Sequence, residues 1–248
     1  MQFTSEELVN TMILLYKTMY PNDELIIPNF IFSDNFREDA VKVYKEFGYT
    51  DEYMEGLEMR ASWNTTVGLT INNKKMNLPP TIVLNKKLLQ ENTILHELTH
   101  VSDYYGYAKR NNFLDNSFMD LLELPNFTCI YLFSEFRAFY RDNMLIQKDL
   151  SEIVKLRTKM LSQEQEETVN SQQLEAYHYA NISYCGLFCA YLDKCFNTDE
   201  INTFLREESK NLIHELIKFL YPLRNKKFEE LEKYFEEFNE ILESMISK

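Results

Sequence analysis

Only four histidines occur in 248 residues, and two of them, His96 and His100, stand four positions apart in Thr93-Ile94-Leu95-His96-Glu97-Leu98-Thr99-His100-Val101-Ser102. On a helix that spacing stacks two imidazoles one turn apart on one face, about 6 Å along the axis. Both can then reach one ion at the roughly 2.0–2.1 Å zinc–nitrogen distance. Glu97 is rotated to the flank of that face. From there its carboxylate can hydrogen-bond a metal-bound water without being a ligand, take its proton during attack on a carbonyl, and pass it to a leaving amine. In a chain so poor in histidine, the pattern His-Glu-x-x-His arises by accident with a chance of roughly one in a hundred. Apart from Glu97, no residue from Asn92 to Ser102 carries a fixed charge. That marks a largely buried helix, where ionisable groups need a partner such as a metal. The competing reading is a pair of core histidines satisfied by hydrogen bonds.

A hydrolytic zinc site needs a third protein ligand and an open fourth position. Downstream candidates are Asp103, Asp115, Asp120, Glu123, Glu135 and Asp142. Asp103, three residues past His100, reaches the ion only if the helix breaks there, so a supporting or surface role suits it better. Glu135 is the better candidate. It lies in Cys129-Ile130-Tyr131-Leu132-Phe133-Ser134-Glu135-Phe136-Arg137-Ala138-Phe139-Tyr140, a helical run apolar nearly all round, where an ionised carboxylate is costly unless paired or bound to metal. The competing reading pairs it with Arg137, Arg141 or Arg60.

His96-Glu97-Leu98-Thr99-His100, the strand-like Thr81-Ile82-Val83-Leu84-Asn85 and the later Ser134-Glu135-Phe136-Arg137-Ala138 together resemble the gluzincin branch of the zinc metallopeptidases. Within that branch the chain is similar to small cytosolic ImmA/IrrE-type and minimal gluzincin peptidases, over about Gly68 to Arg141. The resemblance implies that His96, His100 and Glu135 bind Zn2+, that Glu97 is the general base, and that a sheet edge aligns an extended peptide or protein substrate by strand addition. Two features depart from the family. Where many gluzincins carry an aspartate one turn after the glutamate ligand, this chain has Phe139, which leaves Asp103 or Asp142 to orient a histidine. The family's transition-state donor has no matching motif; His178 and Tyr177 are the candidates, against a purely structural role for either. Peptide deformylase, which takes a cysteine ligand from upstream of the same motif, is excluded because no cysteine precedes His96.

The elements that must position these residues are legible in outline. Thr4 with Glu7 forms a capping box ahead of an amphipathic helix that ends at Pro21. Leu25 to Phe32 reads as a strand, and Asn35 starts a helix that ends at Gly48. Thr65 to Ile71 and Thr81 to Asn85 are β-branched and apolar, joined through Asn72-Asn73-Lys74-Lys75 as a hairpin or a looser loop. The motif helix is expected from about Lys86 to Tyr105, stopping at Gly106. After Pro125 the pattern is helical throughout: Phe127 to Gln147, a helix through Leu150 to Leu161, a polar linker at Ser162 to Asn170, then Gln172 to Cys195, Asp199 to Tyr221 and Lys226 to Ser247. The fold class expected is α+β, a small mixed β-sheet with the active-site helix followed by an all-helical C-terminal half. The two parts are 1–126, zincin-like, and 127–248, helical and carrying the third ligand, either as separate domains or as one continuous domain.

Composition narrows the function classes. With 39 acidic and 26 basic residues the net charge is −13, which repels phosphate backbones and anionic lipid, so neither nucleic acid nor a membrane is an expected partner. The N-terminal apolar run Met12 to Leu15 is too short for a signal peptide, and a cytoplasmic protein is expected. The four cysteines form no Cys-x-x-Cys pair and no disulfide framework. His178, Cys185 and Cys189 share a helix face, but small core cysteines explain that better than a second metal site. His214-Glu215-Leu216 begins the zinc motif without its second histidine. The seam Phe228, Leu231, Phe235, Phe238, Leu242 and Met245 is expected to pack on its own helical half, with a monomer favoured over a dimer. The function expected is a zinc-dependent metallopeptidase. The alternative is a degenerate zincin whose metal is structural and whose helical half binds another protein.

Overall fold

The computed structural model describes residues 4–60, 63–146, 150–157, 160–161, 174–194 and 212–246. Its contacts divide the chain into two units, Met1–Phe127 and Thr128–Lys248. The fold is α+β, with a three-stranded mixed sheet in the first unit and a helical second unit.

In the first unit, α1 (Ser5–Met19) begins with the expected box: the Thr4 hydroxyl accepts from the Glu7 amide, and the Glu7 carboxylate accepts from the Thr4 amide at 2.8 Å. The first strand is shorter than the sequence suggests. It runs over β1 (Asn29–Ser33) rather than from Leu25, because Pro28 has no amide to give a ladder. α2 (Phe36–Glu46) ends at Gly48, whose φ of 75° is the left-handed conformation that favours glycine. The Asn35 side chain makes no hydrogen bond to the helix backbone. α3 (Asp51–Arg60) was not expected: its sequence has Gly56 and no strong apolar stripe, and it is held by burying Met54 against α2 and the sheet.

β2 (Gly68–Ile71) and β3 (Thr81–Asn85) pair antiparallel, with Ile71 opposite Thr81, so residues 72–80 form a loop longer than a tight hairpin turn. β3 is central, parallel to β1 on its other side with Ile31 opposite Val83, and all five of its residues are buried. Strand alternation sorts the two faces. Ile31, Val83, Leu69 and Ile71 pack with α2 and α3, around Phe36, Ala40, Val43 and Tyr44. Gly68 and Thr70 turn to the other face, where α4 (Glu91–Arg110) lies along β2.

α4 runs four residues beyond Gly106. Its end is fixed by Asn112, at φ 56°, with the Phe113 amide returning to the Ala108 carbonyl at 2.7 Å. This is the Schellman pattern with asparagine in the position usually taken by glycine. Burial of Tyr104, Tyr107 and Ala108 outweighs the roughly 1 kcal/mol that a glycine costs inside a helix. A short helix, α5 (Phe118–Leu122), follows with its own capping box, Ser117 with Asp120; the sequence reading missed it.

The second unit contains most of α6 (Phe127–Leu145), buried on every side as its composition requires. α7 (Leu174–Lys194) approaches it so closely at Gly186 that a Cβ there would meet Phe139 Cβ at 2.6 Å and the Phe136 carbonyl at 2.7 Å. Lys194 hydrogen-bonds the Ile146 carbonyl, so with Gly186 beside Phe139 the two helices run in the same direction. The helical stretch 150–157 lies between them in sequence. α8 (Leu212–Leu220) ends ahead of Pro222. The last segment is not one helix from Lys226: two 3-10 turns, Phe228–Glu230 and Glu232–Tyr234, precede α9 (Phe235–Ile246). Three residues per turn set Phe228 and Leu231 on one buried side, which the sequence seam could not distinguish from α-helical spacing. Phe133 of α6 packs on Phe219, Phe235 and Phe238 at ring-centroid distances of 4.4 to 6.1 Å, so this seam serves its own unit. The expected linker at Ser162 to Asn170 lies outside the described residues.

Candidate metal centre

α4 is placed by its apolar side. Ile94, Leu95, Leu98 and Val101 are buried, so the adjoining stripe of His96, Glu97, His100 and Asp103 is fixed in orientation. The Nε2 atoms of His96 and His100 stand 3.1 Å apart, with the rings at 77°. His100 is buried and stacks on Tyr104 at 6.1 Å, while His96 is half-buried. Burial, and then the neighbouring His96, push the His100 imidazole well below its usual pKa. It is therefore neutral at neutral pH, the form that binds metals.

His96, His100 and Glu135 form a group able to hold a metal ion: each offers one ligand atom, and these atoms lie within 4.8 Å of one another. Glu135 is 8% exposed. Two ligands of a tetrahedral ion at 2.0–2.1 Å are about 3.3–3.4 Å apart, so the 3.1 Å between the imidazole nitrogens is close to what zinc requires. The two-nitrogen, one-oxygen donor set also suits other divalent metals, and its chemistry alone does not select one.

Glu97 is buried beside β2. The Thr70 hydroxyl donates to its Oε2 at 2.7 Å, and a Cβ at Gly68 would stand 2.8 Å from its Oε1. The sequence reading did not assign Thr70, although the alternation of β2 puts residues 68 and 70 on one face. Asp103 is fully buried on α4, and Asp142 is buried near the end of α6; neither belongs to the metal group.

His178 lies in the second unit, buried on α7 with its ring against Tyr177, and it is not part of the metal group. Its Nδ1 has no hydrogen-bond partner among the described residues, and burial lowers its pKa. Cys185 and Cys189 are buried free thiols whose pKa values burial raises, and they join no metal-binding group among the described residues. Glu215, beside His214, faces solvent and pairs with Lys218 at 3.8 Å. No helix among the described residues is long and apolar enough to cross a membrane. No known protein family matches the chain, and neither a curated protein nor a solved structure matches it significantly.

Proposed function

We propose that the chain is a zinc-dependent metallopeptidase, a hydrolase of the gluzincin type that cleaves peptide bonds in a peptide or protein substrate. The observation that carries this reading is the convergence of the His96 and His100 imidazoles, their Nε2 atoms 3.1 Å apart, with the Glu135 carboxylate, while Glu97 adjoins His96 in the chain. His96, His100 and Glu135 would hold the metal. Zinc, when bound, acidifies a water and polarises the scissile carbonyl. Glu97 takes the proton from the attacking water and delivers it to the leaving amine. β2 is an edge strand on the side of Glu97, and its free edge offers main-chain hydrogen bonds to an extended peptide. His178, neutral through burial, is the candidate donor to the developing oxyanion. Among the described residues the donor set has three members, which supports hydrolysis over a purely structural zinc with its four protein ligands. A net charge of −13 fits a cytoplasmic enzyme acting on protein rather than on nucleic acid or membrane.

The test is cleavage of a proteome-derived peptide library by the zinc-loaded chain, with new termini labelled and Glu97→Gln as the control. Cleavages that require Glu97 are expected; an identical set of termini from both proteins rejects the reading.

A further inference from the structure

Gly68 and Thr70 lie two residues apart on β2, on the face turned to α4, and both meet the same side chain. The Thr70 hydroxyl is 2.7 Å from Glu97 Oε2 and 3.3 Å from the Glu97 carbonyl oxygen. A Cβ on Gly68 would come within 2.8 Å of Glu97 Oε1, 3.0 Å of Glu97 Cγ and 2.9 Å of Thr93 Cγ2. All three are side-chain atoms and two belong to Glu97, so a methyl at 68 would press on the glutamate side chain rather than on backbone. The glycine thus lets the strand approach, and the threonine anchors one oxygen.

We propose that Gly68 and Thr70 are positioning residues that fix the Glu97 carboxylate against the edge strand, with Oε2 anchored by the Thr70 hydroxyl and the carboxylate so held to take the proton of the attacking water. This rests on Glu97 being the general base. A carboxylate with three torsions from backbone to oxygens loses side-chain freedom when it is ordered, and a hydroxyl that restricts it in advance lowers that cost at the moment of proton transfer. The anchoring group sits on the strand whose free edge would receive the peptide, so base and substrate are referenced to one element.

The experiment compares zinc-loaded wild type, Thr70→Val, Thr70→Ser and Gly68→Ala for kcat, KM and zinc content on a cleaved peptide, and solves the crystal structure of each. Valine keeps the shape of threonine without the hydroxyl, so the fold is retained. The expected result for Thr70→Val is kcat lower by about ten- to a hundredfold, the range for losing a hydrogen bond to a charged group, with KM and zinc content unchanged. Its Glu97 carboxylate leaves the wild-type position. Thr70→Ser restores both kcat and position, and Gly68→Ala displaces the carboxylate and lowers kcat. Wild-type kcat in Thr70→Val, an unmoved carboxylate, or a serine variant as impaired as the valine one overturns the proposal. If no protein in the series cleaves any peptide, the peptidase reading fails, and the position of Glu97 in Thr70→Val still decides whether the threonine anchors it.

Discussion

Asp193, at the end of α7, accepts hydrogen bonds from Arg224 Nε at 2.7 Å and Nη2 at 3.0 Å, from Tyr140 at 2.6 Å and from Tyr221 at 2.7 Å. Glu97, on α4, accepts from the Thr70 hydroxyl and is flanked in sequence by two imidazoles. Burial raises the Asp193 pKa, but the bonds from Arg224, Tyr140 and Tyr221 outweigh it and hold the carboxyl ionised below its usual value. Around Asp193 a carboxylate meets a guanidinium that also lies 3.8 Å over the Tyr221 ring, and the cluster is complete within the protein. Around α4, burial gathers groups of one kind, donors of lone pairs, and that arrangement fits a cation. The first is a polar group buried for structure; the second has the composition of a site.

The contrast can be broken by substitution, most severely at Glu97, the proposed base. Glu97→Gln should lower hydrolysis by roughly 10²–10⁴-fold, the usual contribution of general base catalysis, and leave zinc content unchanged. Metal analysis beside turnover checks both. Asp193→Ala should act oppositely, leaving zinc affinity alone while lowering stability by about 3 kcal/mol, since it strands a partly buried guanidinium. Urea unfolding measures it. Gly186→Ala forces α7 off α6 and should cost about 1–3 kcal/mol, whereas Gly68→Ala, which meets side-chain atoms and no backbone, should cost less stability and more turnover.

The smallest effect is that of pH on the metal-free protein. His178 is held neutral by burial, so below about pH 6.5 the unfolded chain binds a proton that the folded chain does not, and stability falls as pH falls. The depressed Asp193 pKa works in a lower window: its stabilisation is present above the unfolded value of about 3.9 and is lost as pH drops through the folded one. Unfolding midpoints at pH 7.5 and 5.5 should differ less in His178→Gln than in wild type.

What the sequence disclosed follows the range of the interactions. His96, Glu97 and His100 were readable because helical periodicity sets their spacing, and the apolar surroundings of Glu135 marked it as a carboxylate needing a partner. The capping box at Thr4 and the glycine turn at 48 are equally local and are present. Thr70 was not readable as a partner of Glu97, because 27 residues separate them and only strand register brings them together. The stop of α4 was misplaced at Gly106 because aromatic burial, a tertiary effect, carries the helix on to Arg110, ahead of the left-handed Asn112. Phe228 and Leu231 suit a 3-10 turn and an α-helix equally well in sequence, and packing within the second unit decides between them.

The account depends most on three side chains sharing one ion, and a zinc titration of the metal-free protein tests it directly. Wild type should take up one zinc per chain, and His100→Ala and Glu135→Ala should each bind at least tenfold more weakly while keeping the wild-type fold by circular dichroism. Undiminished zinc affinity in Glu135→Ala would contradict the metal centre described.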